Sequence, residues 1–184
     1  MRVVLSIKIL AASTVIAPTM YFLLYIMTEP DIGRLAETSK VLRAADGSIL
    51  ELRLTETGYW RQPVNLEDID PGLVNMLVAY EDKRYWQHKG VDIIAIGRAV
   101  IGVLKEGRVI SGASTLTMQT ARLIKPELGS RTIRSKLSQM LEALRLEAHW
   151  TKSQILEAYF TLAPYGGNIE GIQAASYAWF QKQP

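Results

Sequence analysis

Residues 71–90 read Pro-Gly-Leu-Val-Asn-Met-Leu-Val-Ala-Tyr-Glu-Asp-Lys-Arg-Tyr-Trp-Gln-His-Lys-Gly, and the first half of this stretch sets the fold class. Pro71 suits the first turn of a helix, where its missing N–H costs nothing. Leu73, Met76, Leu77 and Tyr80 then recur at helical spacing, so a helix is expected to run up to the Glu81-Asp82 pair. Val91 to Leu104 is a second apolar-periodic segment, broken by Gly107 to Gly112. Ser130 is expected to cap a helix beginning at Arg131. Its apolar stripe would be Leu137, Met140, Leu141 and Leu144, spaced i, i+3, i+4, i+7. Thr151-x-x-Gln154 is a capping box opening the next helix, which runs through Ile155, Leu156 and Tyr159 to about Ala163, where Pro164 stops it. Gly166 and Gly167 make a turn, and Ile169 to Phe180 is a last helical segment. Upstream, Val41 to Leu54 reads as a β-hairpin around Asp46-Gly47, a pair suited to a tight turn. The expected architecture is mainly α with a small N-terminal hairpin.

The chain has 184 residues, enough for one domain and a short appendage. It has no cysteine, which excludes a disulfide framework, a thiolate metal site and a Cys nucleophile. A formal net charge of only +3 gives no reason to expect nucleic acid as a partner. The appendage is legible. Ile9 to Met27 carries no charge and as a helix would reach about 28 Å, close to a ~30 Å hydrocarbon core. A cleaved signal peptide is the competing reading. No small-x-small site follows the span, whose next residues are Thr28, Glu29, Pro30 and Asp31, so an uncleaved anchor is expected. Arg2 and Lys8 precede the span and favour an N-in, C-out topology, although Arg34, Lys40 and Arg43 lie beyond it. The expected organisation is a cytoplasmic tail (1–8), an anchor (9–27), a juxtamembrane linker (28–40) and a domain (41–184).

Three stretches can carry chemistry. Glu81 and Asp82 close an apolar helix, where desolvation would raise a carboxyl pKa and suit it to proton transfer; from this segment alone a solvated helix end with ordinary ion pairs is the favoured reading. Ser111 to Gln119, Ser-Gly-Ala-Ser-Thr-Leu-Thr-Met-Gln, could offer hydroxyls and backbone N–H groups to an anion, or could merely cap a helix. Between Ala95 and Lys152 there are ten Lys and Arg against four Glu. That excess fits phosphate binding, an anionic lipid surface or a plain solvated face.

Taken together the three become specific. Glu81-Asp82-x-Arg84-Tyr85-x-x-His88-x-Gly90 resembles the first motif of family 51 glycosyltransferases, Glu-Asp-x-x-Phe-x-x-His-x-Gly. Gly112-Ala-Ser-Thr-Leu-Thr-Met-Gln119 is similar to the second, Gly-x-Ser-Thr-x-Thr-x-Gln. Ile155-Leu-Glu-x-Tyr159 followed by Tyr165-Gly166-Gly167 resembles the fourth, and Gly171 to Phe180 the fifth. The third, usually Arg-Lys-x-x-Glu, aligns with Ser135-Lys136-Leu137-Ser138-Gln139: the lysine is kept and glutamine replaces the carboxylate. The usual Asn of the fourth motif is Thr161. The pattern most resembles the C-type subgroup of class A penicillin-binding proteins, which shares that glutamine. The sequence has no Ser-x-x-Lys for a penicillin-reactive domain and stops before the family's last helices, so a C-terminally incomplete domain is expected.

The resemblance implies a lysozyme-like fold and a peptidoglycan glycosyltransferase in the bacterial inner membrane, working on its outer side. Its substrates would be lipid II and a lipid-linked nascent glycan, with other cell-wall synthesis proteins as further partners. It implies catalytic roles for Glu81, as base, and for Lys136 and Gln139. It implies substrate contacts for Asp82, Arg84, His88, Ser114, Thr115, Gln119, Arg122, Lys125 and Glu157. A divalent cation, Mg²⁺ or Mn²⁺, could assist the leaving group, but the sequence offers no dedicated ligand cluster. A lysozyme-like muramidase or lytic transglycosylase, and a non-catalytic tethered binding module, are the rival readings.

Overall fold

The computed structural model describes residues 16–106, 112–130 and 132–184. Residues 16–27 form helix α1. A hairpin follows, with β1 (Lys40–Arg43) antiparallel to β2 (Ile49–Arg53). Its turn is built as the Asp46-Gly47 pair dictates: Gly47 has φ +86, and the Asp46 carboxylate accepts from the N–H of Ser48 at 2.9 Å. Then come β3 (Trp60–Arg61), α2 (Pro71–Glu81), α3 (Ile93–Glu106), α4 (Leu116–Ile124), α5 (Ile133–His149), α6 (Lys152–Leu162), β4 (Ile169–Glu170) and α7 (Ile172–Phe180). The described chain is therefore mainly helical with two small sheets, the second a parallel pair of β3 and β4.

α4 sits at the centre, packed on α5 and α6, with Leu116, Thr117, Met118, Thr120, Ala121 and Ile124 all buried. The core joins Val74 and Val78 of α2, Tyr85, Leu116 and Ile124 of α4, Leu146 of α5, and Ile155, Leu156 and Phe160 of α6. Asp70 caps α2 through the N–H of Gly72, with Pro71 in its first turn. Thr151 and Gln154 form the capping box of α6.

Three local expectations are corrected. The helix expected at Arg131 begins at Ile133, and its cap is Thr132, whose hydroxyl accepts from the N–H of Ser135 at 3.1 Å. Among the described residues Ser130 meets the Thr132 hydroxyl, at 3.4 Å; Arg131 lies outside them. The segment from Ile169 opens as a two-residue strand. Gly171, at φ +85 and with its Cα against the carbonyl of Thr161, turns the chain into α7. The third correction is the largest. α5 does not bury the stripe Leu137, Met140, Leu141 and Leu144, since Leu137 is exposed and the others are half-buried. Its buried face is Ser135, Gln139, Glu142, Ala143, Arg145 and Leu146. Periodicity identifies residues that share a face, and the polar face of α5 is the one supplied with partners.

Residues 28–40 pack against the domain. Arg61, fully buried on β3, pairs with Glu170 of β4 at 2.5 Å and donates to the carbonyls of Arg34 at 2.5 Å and Glu37 at 2.8 Å. Of the apolar span expected at the N-terminus, residues 9–15 lie outside the described part. Among the described residues no helix is long and apolar enough to cross a membrane.

Candidate active site

The end of α2, the start of α3 and the segment 112–115 that leads into α4 enclose an open cleft of about 930 Å³. Glu81 and Asp82 are neighbours in sequence and part company here. Glu81 is the last residue of α2 and is exposed to the cleft, where its carboxylate accepts from the Gln119 amide at 2.9 Å. Asp82 leaves the helix, with φ −157 and ψ 74, and turns inward. Its buried carboxylate accepts the N–H of Leu116 at 2.9 Å and meets Nε2 of His88 at 3.0 Å. Asp82 thereby fastens the loop after α2 to the N-terminus of α4, an end that attracts negative charge. Of the two carboxylates that close α2, Asp82 is the one withdrawn from solvent and Glu81 the one that stays exposed.

A second fastening lies beside it. Thr115 caps α4, accepting from the N–H of Met118 at 3.1 Å, and its hydroxyl donates to the carbonyl of Gly90 at 2.5 Å. Gly90 has φ +81, and a Cβ there would stand 2.6 Å from the carbonyl oxygen of Ala143 on α5. The loop 82–90 thus meets the middle of α5 backbone to backbone, and the start of α4 through the Asp82 carboxylate and the Thr115 hydroxyl. Tyr85 is wholly buried between them, its hydroxyl donating to the carbonyl of Lys152 at 2.7 Å. Burial, with the charges of Glu147 and Asp82 nearby, pushes its phenol far above the ordinary value. Arg84 grips Asp92 with two guanidinium nitrogens, and this holds the Asp92 carboxyl below its ordinary value. Asp92 also accepts from the N–H of Ala95 at 2.7 Å, which opens α3.

The cations come from three helices and from the loop after α2. Lys136 of α5 reaches Ser114 on the cleft wall, donating to its hydroxyl, and donates to Oε1 of Gln139 at 3.2 Å. Burial, with the positive charge of Arg122 second, lowers its pKa below that of a free lysine. Arg122 of α4 and Arg98 of α3 line the cleft and are exposed, as is Lys83. Among the described residues Arg122 has no acidic partner.

A motif set this specific invites comparison with known proteins. A family model described as transglycosylase matches residues 47–184. The chain belongs to the transglycosylase family. It is 44% identical over 146 residues to penicillin-binding protein 1C of Escherichia coli K12, covering 79% of this chain and 19% of that one. Penicillin-binding protein 2D of Bacillus subtilis 168 is 37% identical, over 78% of this chain and 20% of its own. A biosynthetic peptidoglycan transglycosylase of Haemophilus influenzae is 37% identical over 65% of this chain and 48% of its own. The chain thus spans about a fifth of the length of the penicillin-binding relatives it matches.

In this transglycosylase-family chain the residues singled out by sequence do not all converge. Glu81, Arg84, Ser114, Gln119 and Arg122 line the cleft, with Lys136 and Gln139 behind Ser114. Asp82 and Thr115 reach its edge but direct their polar atoms into the protein, and His88 is buried behind Asp82. Lys125 is engaged by Glu142 at 3.0 Å. Glu157 lies outside the cleft, accepting the N–H of Leu66 at 3.0 Å beside Leu35 and Trp150. Lys83 and Arg98 line the cleft and were not singled out. Arg98 was legible only as one of the ten basic residues between Ala95 and Lys152.

The donor set does not make a cation site. Asp82 is bound to His88 and Leu116, and Asp92 to Arg84, which leaves Glu81 as the one carboxylate in the cleft free of charged partners among the described residues. No group of three or more His, Asp or Glu among the described residues could hold a metal ion.

Proposed function

We propose that the chain is a peptidoglycan glycosyltransferase that extends a lipid-linked glycan with lipid II. The observation that carries this reading is the charge distribution of one cleft: Glu81, a carboxylate without a cationic partner among the described residues, shares it with Lys83, Arg98 and Arg122. The 4-hydroxyl oxygen of the acceptor sugar attacks the anomeric carbon of the donor, and the bond from that carbon to the pyrophosphate oxygen breaks. Glu81 takes the hydroxyl proton. The leaving group departs as undecaprenyl pyrophosphate with the electron pair, and inversion gives a β-1,4 linkage. Arg122 and Lys136 meet the charge that develops on it. Gln119 orients the Glu81 carboxylate, and Ser114 carries the influence of Lys136 to the cleft wall.

The same reading places residues 9–27 in the membrane as a single anchor with the α-rich, lysozyme-like domain outside the cytoplasm. The exposed Met20, Tyr21, Leu23, Leu24 and Met27 of α1 support it, since a helix so apolar on all sides suits hydrocarbon. Both substrates are lipid-tethered, and an anchored enzyme meets them at a raised effective concentration. The test is incubation of the purified chain with lipid II. Glycan polymer with release of undecaprenyl pyrophosphate is the expected result. Cleavage of finished peptidoglycan without synthesis would assign a lytic enzyme, and binding without either product a tethered module.

A further inference from the structure

α5 does two jobs in different halves. Its first half presents Lys136 and Gln139 to the cleft wall. Its second half holds the end of α1. The last carbonyls of a helix lack intrahelical partners and carry partial negative charge. Here α5 supplies partners: Nε2 of His149 lies 3.0 Å from the carbonyl of Ile26 in the last turn, and Arg145 donates to the carbonyl of Thr28, which follows the helix, at 2.9 Å and to that of Glu29 just beyond. The guanidinium of Arg145 also lies 4.8 Å from the centre of the Tyr25 ring. The Tyr25 hydroxyl donates to Glu142, which pairs with Lys125 at 3.0 Å and with Arg145 at 3.6 Å. Glu142 and Arg145 are both buried. Buried charges this well satisfied hold one geometry, because releasing either partner strands the other in a poorly solvated site.

We propose that the Tyr25–Glu142–Arg145 cluster is a positioning device that fixes α1 rigidly to the helix bearing Lys136, and so sets the height and tilt of the cleft above the membrane. This rests on the anchored reading given above. A lipid-linked substrate presents its pyrophosphate at a fixed depth. A cleft held at that depth meets it without an orientational search, and a freely hinged cleft does not. The residues are positioning residues and do not line the cleft.

The absence of cysteine makes the test direct. Full-length chain carrying Phe22→Cys and Ala148→Cys is spin-labelled in liposomes, and the interlabel distance distribution is measured. A single narrow distribution is expected, broadening in Arg145→Gln. Polymerisation is followed in liposomes and in detergent micelles, where depth is not imposed. Arg145→Gln is expected to lose about tenfold in kcat/KM in liposomes and less than about twofold in micelles. Tyr25→Phe, which removes only the hydroxyl, should show the same selectivity to a smaller extent with an unchanged thermal unfolding midpoint. A broad distribution in the parent protein, or an equal loss in both media, overturns the proposal. A parent that makes no glycan in either medium refutes the glycosyltransferase reading, while the distance distribution still decides the rigid junction.

Discussion

The Nζ of Lys136 lies 3.2 Å from Oε1 of Gln139, three residues further along α5, and the amide nitrogen of Gln139 donates to the carbonyl of Leu128 at 2.6 Å. The glutamine therefore holds the lysine without neutralising it. A glutamate would pair with Lys136 and would also face the Leu128 carbonyl with a charge in place of a donor. Gln139→Glu is expected to lower stability by about 1–3 kcal/mol and to change Mg²⁺ dependence more than maximal rate. Urea unfolding and a Mg²⁺ titration of lipid II polymerisation check both. A gain above about tenfold at saturating metal, roughly 1.4 kcal/mol of barrier, would show the glutamine to be a defect.

Glu81→Gln keeps the shape and the oxygen that accepts from Gln119, and removes the proposed base. Polymerisation is expected to fall by about 10²–10⁴-fold, with donor binding and unfolding midpoint near those of the parent. Glutamate at this exposed helix end has little to contribute to stability, so a large loss of folding would contradict the placement.

Lys136 should leave a mark on the pH profile. Its folded pKa is lowered from the ordinary 10.5 by burial and by Arg122. Between the folded and unfolded values the unfolded chain binds more protons, so this group makes stability rise with pH across that window, and below the window its full cost is present. The charge proposed to meet the leaving group is lost through the same window. The alkaline limb of kcat/KM is therefore expected below that of a free lysine, and Lys136→Arg should move it to higher pH. A limb unmoved by the substitution would remove Lys136 from the rate profile.

Asp82→Ala strands two buried donors, the Leu116 N–H and Nε2 of His88. The expected cost is about 2–5 kcal/mol, read from denaturant midpoints. Activity lost here should follow the loss of folded protein and recover as far as temperature or a bound ligand restores the fold.

Gly90 and Gly58 make a matched pair. Both have positive φ, +81 and +84, but a Cβ on Gly90 meets the Ala143 carbonyl at 2.6 Å while one on Gly58 meets nothing within 4 Å. Gly58→Ala should cost only the backbone term, about 1–3 kcal/mol. Gly90→Ala should cost about 1–3 kcal/mol more, from forced overlap. Equal costs would mean that the loop 82–90 can retreat from α5.

Much of this protein was written in local order. The hairpin turn follows from Asp46-Gly47, the start of α6 from Thr151 and Gln154, and the start of α2 from Asp70 and Pro71, because each device acts within three residues of chain. The motif pattern likewise marked Glu81, Ser114, Gln119 and Lys136 before any geometry was known. Tertiary structure decided which of two adjacent carboxylates faces solvent. Glu81 stays helical and Asp82 does not, because Asp82 finds its partners His88 and Leu116, the latter 34 residues away. Tertiary structure also chose the face of α5 that is buried. Leu137 and Met140 carry the apolar signal, yet Gln139, Glu142 and Arg145 go inside, satisfied by Leu128, Lys125 and the carbonyls that follow α1. A charge can be buried only where a partner waits. The chain alone names the charges, and their partners are brought up by segments as far as 136 residues distant.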